Sequence, residues 1–118
     1  MFRRDGPIVK KSIEFSGLIM NYCELLNDKK KFMVANQLLK SGTSIGANVF
    51  EAQFAESRND FIHKMKIALK EASETLYWLR LCENMEEPKV QHETLNGLNE
   101  IMAILSKIII TSKKNLKT

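Results

Sequence analysis

LLKSGTSIGANVFEAQFAESRNDF, residues 38–61, decides the fold. Leu38, Gly42, Ile45, Val49 and Ala52 recur at helical spacing and make a narrow apolar stripe. Gly42 and Gly46 are four apart, so they stack on one side of that helix, with Ser41 and Ala47 beside them. A Gly in a helix interior costs about 1 kcal/mol relative to Ala. The return expected for two of them is close approach of another helix to a surface without Cβ atoms. After Ala55 the pattern breaks and restarts: Ser57-Arg58-Asn59-Asp60 has the form of a capping box, with Asp60 where Glu is commoner. Its hydroxyl is expected to take up a free N–H of the next helix, and the Asp60 charge suits that helix's positive end.

Working back from this stretch, Gly6-Pro7 is a helix start, because Pro is tolerated in the first turn. Ile8, Phe15, Ile19, Tyr22 and Leu26 then share one face, and Asn27-Asp28 with Lys29-Lys30-Lys31 end it. Working forward, Met65, Leu69, Ala72, Leu76 and Leu79 form the apolar stripe of a third helix, widened by Phe61, Ala68 and Trp78. Glu86-Glu87-Pro88 reads as a turn with Pro88 opening a fourth helix. That helix carries Leu95, Leu98, Met102, Leu105 and Ile109 on one seam and Ile101, Ile104 and Ile108 on another. An arc so wide exceeds what one face of a bundle needs. It points to Ile101, Ile104 and Ile108 as contacts with another subunit; full burial within the monomer is the alternative. The expected architecture is all-α, a single domain over residues 1–118. It is an antiparallel up-down-up-down four-helix bundle with helices at about 8–27, 30–55, 58–85 and 88–114, the last followed by a fraying lysine-rich tail.

Composition agrees with a globular chain. Of 118 residues, 44% are hydrophobic and 27% charged, with only two Pro and five Gly, which leaves room for long helices. A net charge of +4 permits an anionic partner without demanding one. The N-terminal Met1-Phe2-Arg3-Arg4-Asp5 has no apolar segment behind it and no run is long enough to cross a bilayer, so the expectation is a cytoplasmic protein with no signal peptide and no membrane partner. Cys23 and Cys82 are isolated thiols inside apolar patterns and read as buried and reduced.

Chemistry is scarce. Two histidines constrain base and metal catalysis, and the nearest approach to a di-metal ligand unit is a single Asp60-x-x-His63. Zincin, P-loop and dinucleotide-binding signatures are missing. The reading is therefore a non-enzyme without metal or cofactor. Beside the apolar stripe of helix 2 runs a polar line, Gln37, Ser41, Ser44, Asn48 and Glu51, which is either a solvated face or a polar seam between helices. The flanking glycines favour the seam, in which case Glu51 needs a partner and Arg58 is the near candidate. The best binding surface is on helix 3, where Asn59, His63, Lys66, Lys70, Ser73, Tyr77 and Arg80 line up without an acid. Lys66, Lys70 and Arg80 suit phosphates and Tyr77 suits an unpaired base; a solvated lysine face is the plainer reading. Lys29, Lys30, Lys31 and the tail lysines 113, 114 and 117 extend the basic set.

Ser41, Ser44, Ile45, Asn48, Val49 and Glu51, followed by Ser57 and Asp60-Phe61, resemble the motif of the bacterial 23S rRNA-intervening sequence proteins. The likeness is good over about residues 8–85. Where many relatives have Gly and then Arg after the Glu, this chain has Ala52, Gln53, Phe54 and Ala55. The resemblance implies a small four-helix bundle that assembles as a ring, commonly a homopentamer. It also implies kinship with the accessory proteins of diversity-generating retroelements, which bind nucleic acid and a reverse transcriptase. The functional expectation is a homo-oligomeric bundle that binds RNA or DNA. The alternative is an oligomeric protein–protein adaptor that touches no nucleic acid.

Overall fold

A computed structural model describes residues 6–116; the N-terminal Met1–Asp5 reading and Lys117 of the tail lie outside them. Four helices, α1 (Pro7–Asp28), α2 (Phe32–Ala52), α3 (Arg58–Glu83) and α4 (His92–Leu116), form an antiparallel four-helix bundle. Each packs against its neighbours in sequence and α4 closes against α1, while among the described residues the backbones of diagonal pairs stay apart. The result is a rod measuring 51 × 20 × 20 Å between Cα extremes.

The ends of the helices follow from local chemistry. Pro7 occupies the first helical turn of α1 behind Gly6, whose backbone is extended. At the other end Lys30 takes a left-handed conformation, φ 60°. Its N–H donates to the Asn27 carbonyl at 2.9 Å, and the Lys31 N–H reaches back to the Leu26 carbonyl at 2.9 Å. This pair of bonds is a Schellman closure, made here with Lys where Gly is usual. It delays α2 to Phe32, two residues later than the apolar pattern predicts. At its C-terminus α2 tightens into i→i−3 bonds at Gln53, Phe54 and Ala55, so it stops at Ala52 and not at residue 55.

Ser57 caps α3 with an extended backbone, and its hydroxyl accepts the Asp60 N–H at 3.0 Å. The Asp60 carboxylate accepts the Glu56 N–H at 3.1 Å, one residue before the cap. The α3–α4 connection corrects the sequence reading. Pro88 does not open a helix: it follows a cis peptide bond in the turn, and its carbonyl accepts the Tyr22 hydroxyl at 2.7 Å. Helix α4 begins at His92, with Glu93 and not Glu86 or Glu87 in its first turn. It continues to Leu116, so Lys113 and Lys114 are helical and not part of a loose tail.

Leu38, Gly42, Ile45, Val49 and Ala52 are all buried. A Cβ built on Gly42 would stand 2.8 Å from Cγ2 of Ile19, and one on Gly46 3.3 Å from the Ser12 carbonyl oxygen. The two glycines therefore set how closely α1 lies on α2. On the other flank of α2, Ser41 is buried and its hydroxyl accepts from Thr75 Oγ1 of α3 at 2.9 Å. The polar line is a seam only there. Ser44 and Asn48 are half-buried, while Gln37 and Glu51 are exposed, so Glu51 needs no buried partner. Helix α4 brings a second correction: Ile101 is 1% exposed and belongs to the core, and Ile104 and Ile108 are half-buried against it. The wide arc of α4 is therefore turned largely into its own bundle.

Candidate nucleic-acid interface

The Ser57 cap fixes where α3 starts, and so which residues of its 26 face outward. Asn59, His63, Lys66, Lys70, Ser73, Tyr77 and Arg80 are all exposed. Lys66 and Lys70 have no ion-pair partner among the described residues, whereas Arg80 is 3.3 Å from Glu83. Lys64, one position round the helix, faces the α2 side and pairs with Asp60 at 3.5 Å. The Asp60 carboxyl is held below its ordinary value, chiefly by the Glu56 N–H and also by the Lys64 charge.

The neighbouring helix completes this face. The Lys113 ammonium of α4 is held below the usual lysine value by hydrogen-bonding proximity and charge repulsion from Lys66. Two like charges from two helices thus come together at the α3–α4 groove. Lys107 and Lys114, seven residues apart and both exposed, lie on the outer side of α4. The sequence signal for Lys107 is its seven-residue spacing to Lys114, which puts the two on one side of α4. Which way that side of α4 points depends on how the helix is rotated in the bundle, which no spacing within α4 reveals.

Lys29, Lys30 and Lys31 do not join this surface. They sit at the α1–α2 turn, beside the α3–α4 turn, where Lys29 and Lys31 line a depression with Met85, Glu86, Glu87 and Lys89. Lys29 pairs with Glu87 at 3.5 Å. Lys66 is about 25 Å down α3 from that end, at 1.5 Å per residue. The groove between α1 and α4, about 470 Å³, carries Glu14, Glu93 and Glu100, with Lys11 bound to Glu100 at 2.7 Å. That side is acidic and repels a phosphate chain.

Buried titratable groups lie elsewhere. Tyr22, Cys23 and Cys82 are all within the core. Burial pushes the Cys23 thiol up to about 11 and raises Cys82 and the Tyr22 phenol as well. Such thiols are poor nucleophiles. Among the described residues no three His, Cys, Asp or Glu side chains converge as a metal-ligand set, and no helix is long and apolar enough to cross a membrane.

The family model for the 23S rRNA-intervening sequence protein matches residues 4–110. No curated protein matches. A crystal structure from Bacteroides thetaiotaomicron VPI-5482, of a protein with unknown function from the S23 ribosomal protein family, is 46% identical. The match covers 86% of this chain and 97% of that one, with a TM-score of 0.79.

Proposed function

The chain belongs to the 23S rRNA-intervening sequence protein family, and from that premise we propose that it is a non-enzymatic, self-associating bundle that holds RNA or DNA on its α3–α4 face. The observation that carries this reading is the convergence of Lys66 and Lys113 from two helices on a face where Lys70 also stands without an acidic partner. A polyanion brings phosphates that relieve such repulsion and release their own counterions. Tyr77, 60% exposed between Lys70 and Arg80 along α3, offers a ring on which an unpaired base can stack. Single-stranded nucleic acid fits this mixture of point charges and one aromatic better than a duplex, whose bases are already stacked. On the resemblance to the family, the proposed assembly is a homo-oligomer of five copies, with a reverse transcriptase as a candidate protein partner.

The test is fluorescence anisotropy with a single-stranded RNA and a single-stranded DNA oligonucleotide across a salt series. Binding is expected to weaken steeply with salt. Changing Lys66, Lys70 and Arg80 together to Glu is expected to abolish it at moderate ionic strength. Loss of three phosphate contacts flattens the log–log salt slope by about 2, at roughly 0.7 per contact for single strands. Binding that is unchanged in the triple variant removes this face from consideration.

A further inference from the structure

One end of the rod gathers the start of α1, the end of α2, the start of α3 and the last turns of α4. Between them lies a depression of about 360 Å³, within the roughly 300–1,000 Å³ typical of small-molecule pockets. Its walls include Ile8, Phe61, Ile104 and Ile108. Ile8 and Phe61 are buried, whereas Ile104 and Ile108, one turn apart on α4, are half-buried against the core. The depression is lined by the part of the wide apolar arc of α4 that the core leaves uncovered.

Charge sets this depression apart. Among the described residues Arg58 is the one charged side chain that lines it. The α1–α4 groove, by contrast, is lined by Lys11, Glu14, Glu93 and Glu100, and the depression at the α1–α2 turn by five charged residues. Arg58 is half-buried in the first turn of α3, and no carboxylate among the described residues lies within ion-pair distance of it. Glu51, the partner its sequence position suggested, is exposed and lines a different depression with Phe50 and Phe54. The start of α1 adds to the positive charge. Gly6 caps that helix without a side chain and no acid stands in its first turn, so the positive end of α1 borders the same depression.

We propose that this depression binds an amphipathic monocarboxylate, with its hydrocarbon chain among Ile8, Phe61, Ile104 and Ile108 and its carboxylate on the Arg58 guanidinium. The inference goes beyond the nucleic-acid reading and does not depend on it, since Lys66, Lys70 and Arg80 are not among the lining residues. Moving methylene groups from water to these apolar walls is favourable, and the walls are already in place. A guanidinium offers a carboxylate two parallel N–H donors. One positive charge also matches one carboxylate. A phosphate monoester brings close to two negative charges to a largely apolar site with one cation, and part of that charge loses its water uncompensated. A neutral alcohol leaves Arg58 without an anion, and a basic ligand meets it as a like charge. From Ile104 to Asn115 the lining positions of α4 extend about 16 Å at 1.5 Å per residue, room for a medium-length chain.

The experiment is isothermal titration calorimetry of the nuclease-treated whole chain with octanoate, octanol and octyl phosphate, each below its micelle-forming concentration. The unaltered chain is expected to bind octanoate one to one and more tightly than either analogue. Arg58→Gln is expected to weaken octanoate about tenfold or more, through loss of a charge-assisted bond, and to leave octanol unchanged. Ile108→Trp, which fills the depression, is expected to weaken both. Circular dichroism shows which variants keep the helical fold; Arg58→Gln alone tests the carboxylate contact if Ile108→Trp unfolds. The variant with Lys66, Lys70 and Arg80 all changed to Glu is expected to keep octanoate binding, so failure of the nucleic-acid reading leaves this one standing. An unaltered chain that binds no octanoate overturns the proposal. Equal affinity for octanoate and octanol, or tighter binding of octyl phosphate, overturns the ligand class. Octanoate binding that survives unchanged in folded Arg58→Gln, or that is lost in the triple Glu variant, overturns the assigned site.

Discussion

At the scale of single residues, three glycines in similar helices have three different roles. Gly42 faces Ile19, whose Cγ2, Cγ1 and Cβ all lie within 3.3 Å of the position a Cβ would take. Rotating a β-branched side chain does not clear all three atoms, so Gly42→Ala forces α1 away from α2. We expect a net loss of about 1–2 kcal/mol in urea unfolding, overpacking outweighing the helix-propensity gain. Gly46→Ala meets the Ser12 carbonyl at 3.3 Å, a milder conflict, and is expected to cost less than Gly42→Ala. Gly17 has nothing within 4 Å of that position, so Gly17→Ala is expected to stabilise by about 0.5–1 kcal/mol. The thiols give a pH prediction. Cys23 is raised from 9.0 to about 11 by burial, so between those values the unfolded chain has lost the thiol proton and the folded chain has kept it. Stability is full below pH 9 and falls as pH rises towards 11. Urea midpoints across that range are expected to decline, and to decline less when Cys23 and Cys82 are both changed to Ala.

At the scale of elements, the terminal caps set the bundle's register. Ser57→Ala removes the acceptor for the Asp60 N–H and is expected to cost about 1 kcal/mol, read as a lower urea midpoint with unchanged slope. Lys30 is the converse case. A non-glycine residue in the left-handed region costs about 1–2 kcal/mol, so Lys30→Gly is expected to raise stability by about 1 kcal/mol while keeping both closing bonds. The same residue explains an element boundary that the sequence pattern misplaced. Lys30 carries no turn signal, and helix 2 is expected from residue 30 when only apolar spacing is read. Pro88 misled in the opposite direction. Proline favours a first helical turn, yet here its carbonyl is taken by Tyr22 of α1, a contact 66 residues distant in sequence. Ser57 and Pro7 read correctly because their partners are within four residues of them.

At the scale of the whole molecule, the four long faces differ in charge. The α1–α4 side is acidic, the α3–α4 side basic, the α1–α2 side mixed, with Lys10, Glu24 and Lys40 exposed among Ile13, Met20 and Leu39, and the α2–α3 side polar, with Ser44 and Asn48 half-buried and Glu51 exposed. The convergence of Lys66 and Lys113 is confined to the α3–α4 side. It leads to the expectation that the Lys66, Lys70 and Arg80 triple Glu variant keeps the mass of the unaltered chain in light scattering while losing oligonucleotide binding. A variant that loses both would place the two functions on one face.

Features that depend on neighbours within a turn or two were legible in the sequence. It carried the number and type of helices, the stripe from Leu38 to Ala52, the glycines that admit a neighbour, the cap at Ser57, and the acid-free line from Asn59 to Arg80. The rotation of each helix about its axis, and the helix it meets, came from packing over the whole bundle. That rotation turned Ile101 into the core, left Glu51 in water, and brought Lys113 beside Lys66. The physical reason is that an apolar arc as broad as that of α4 can be buried over a range of rotations with similar apolar gain. Packing against the other helices, the glycine contacts of α1 and α2 among them, selects one of them.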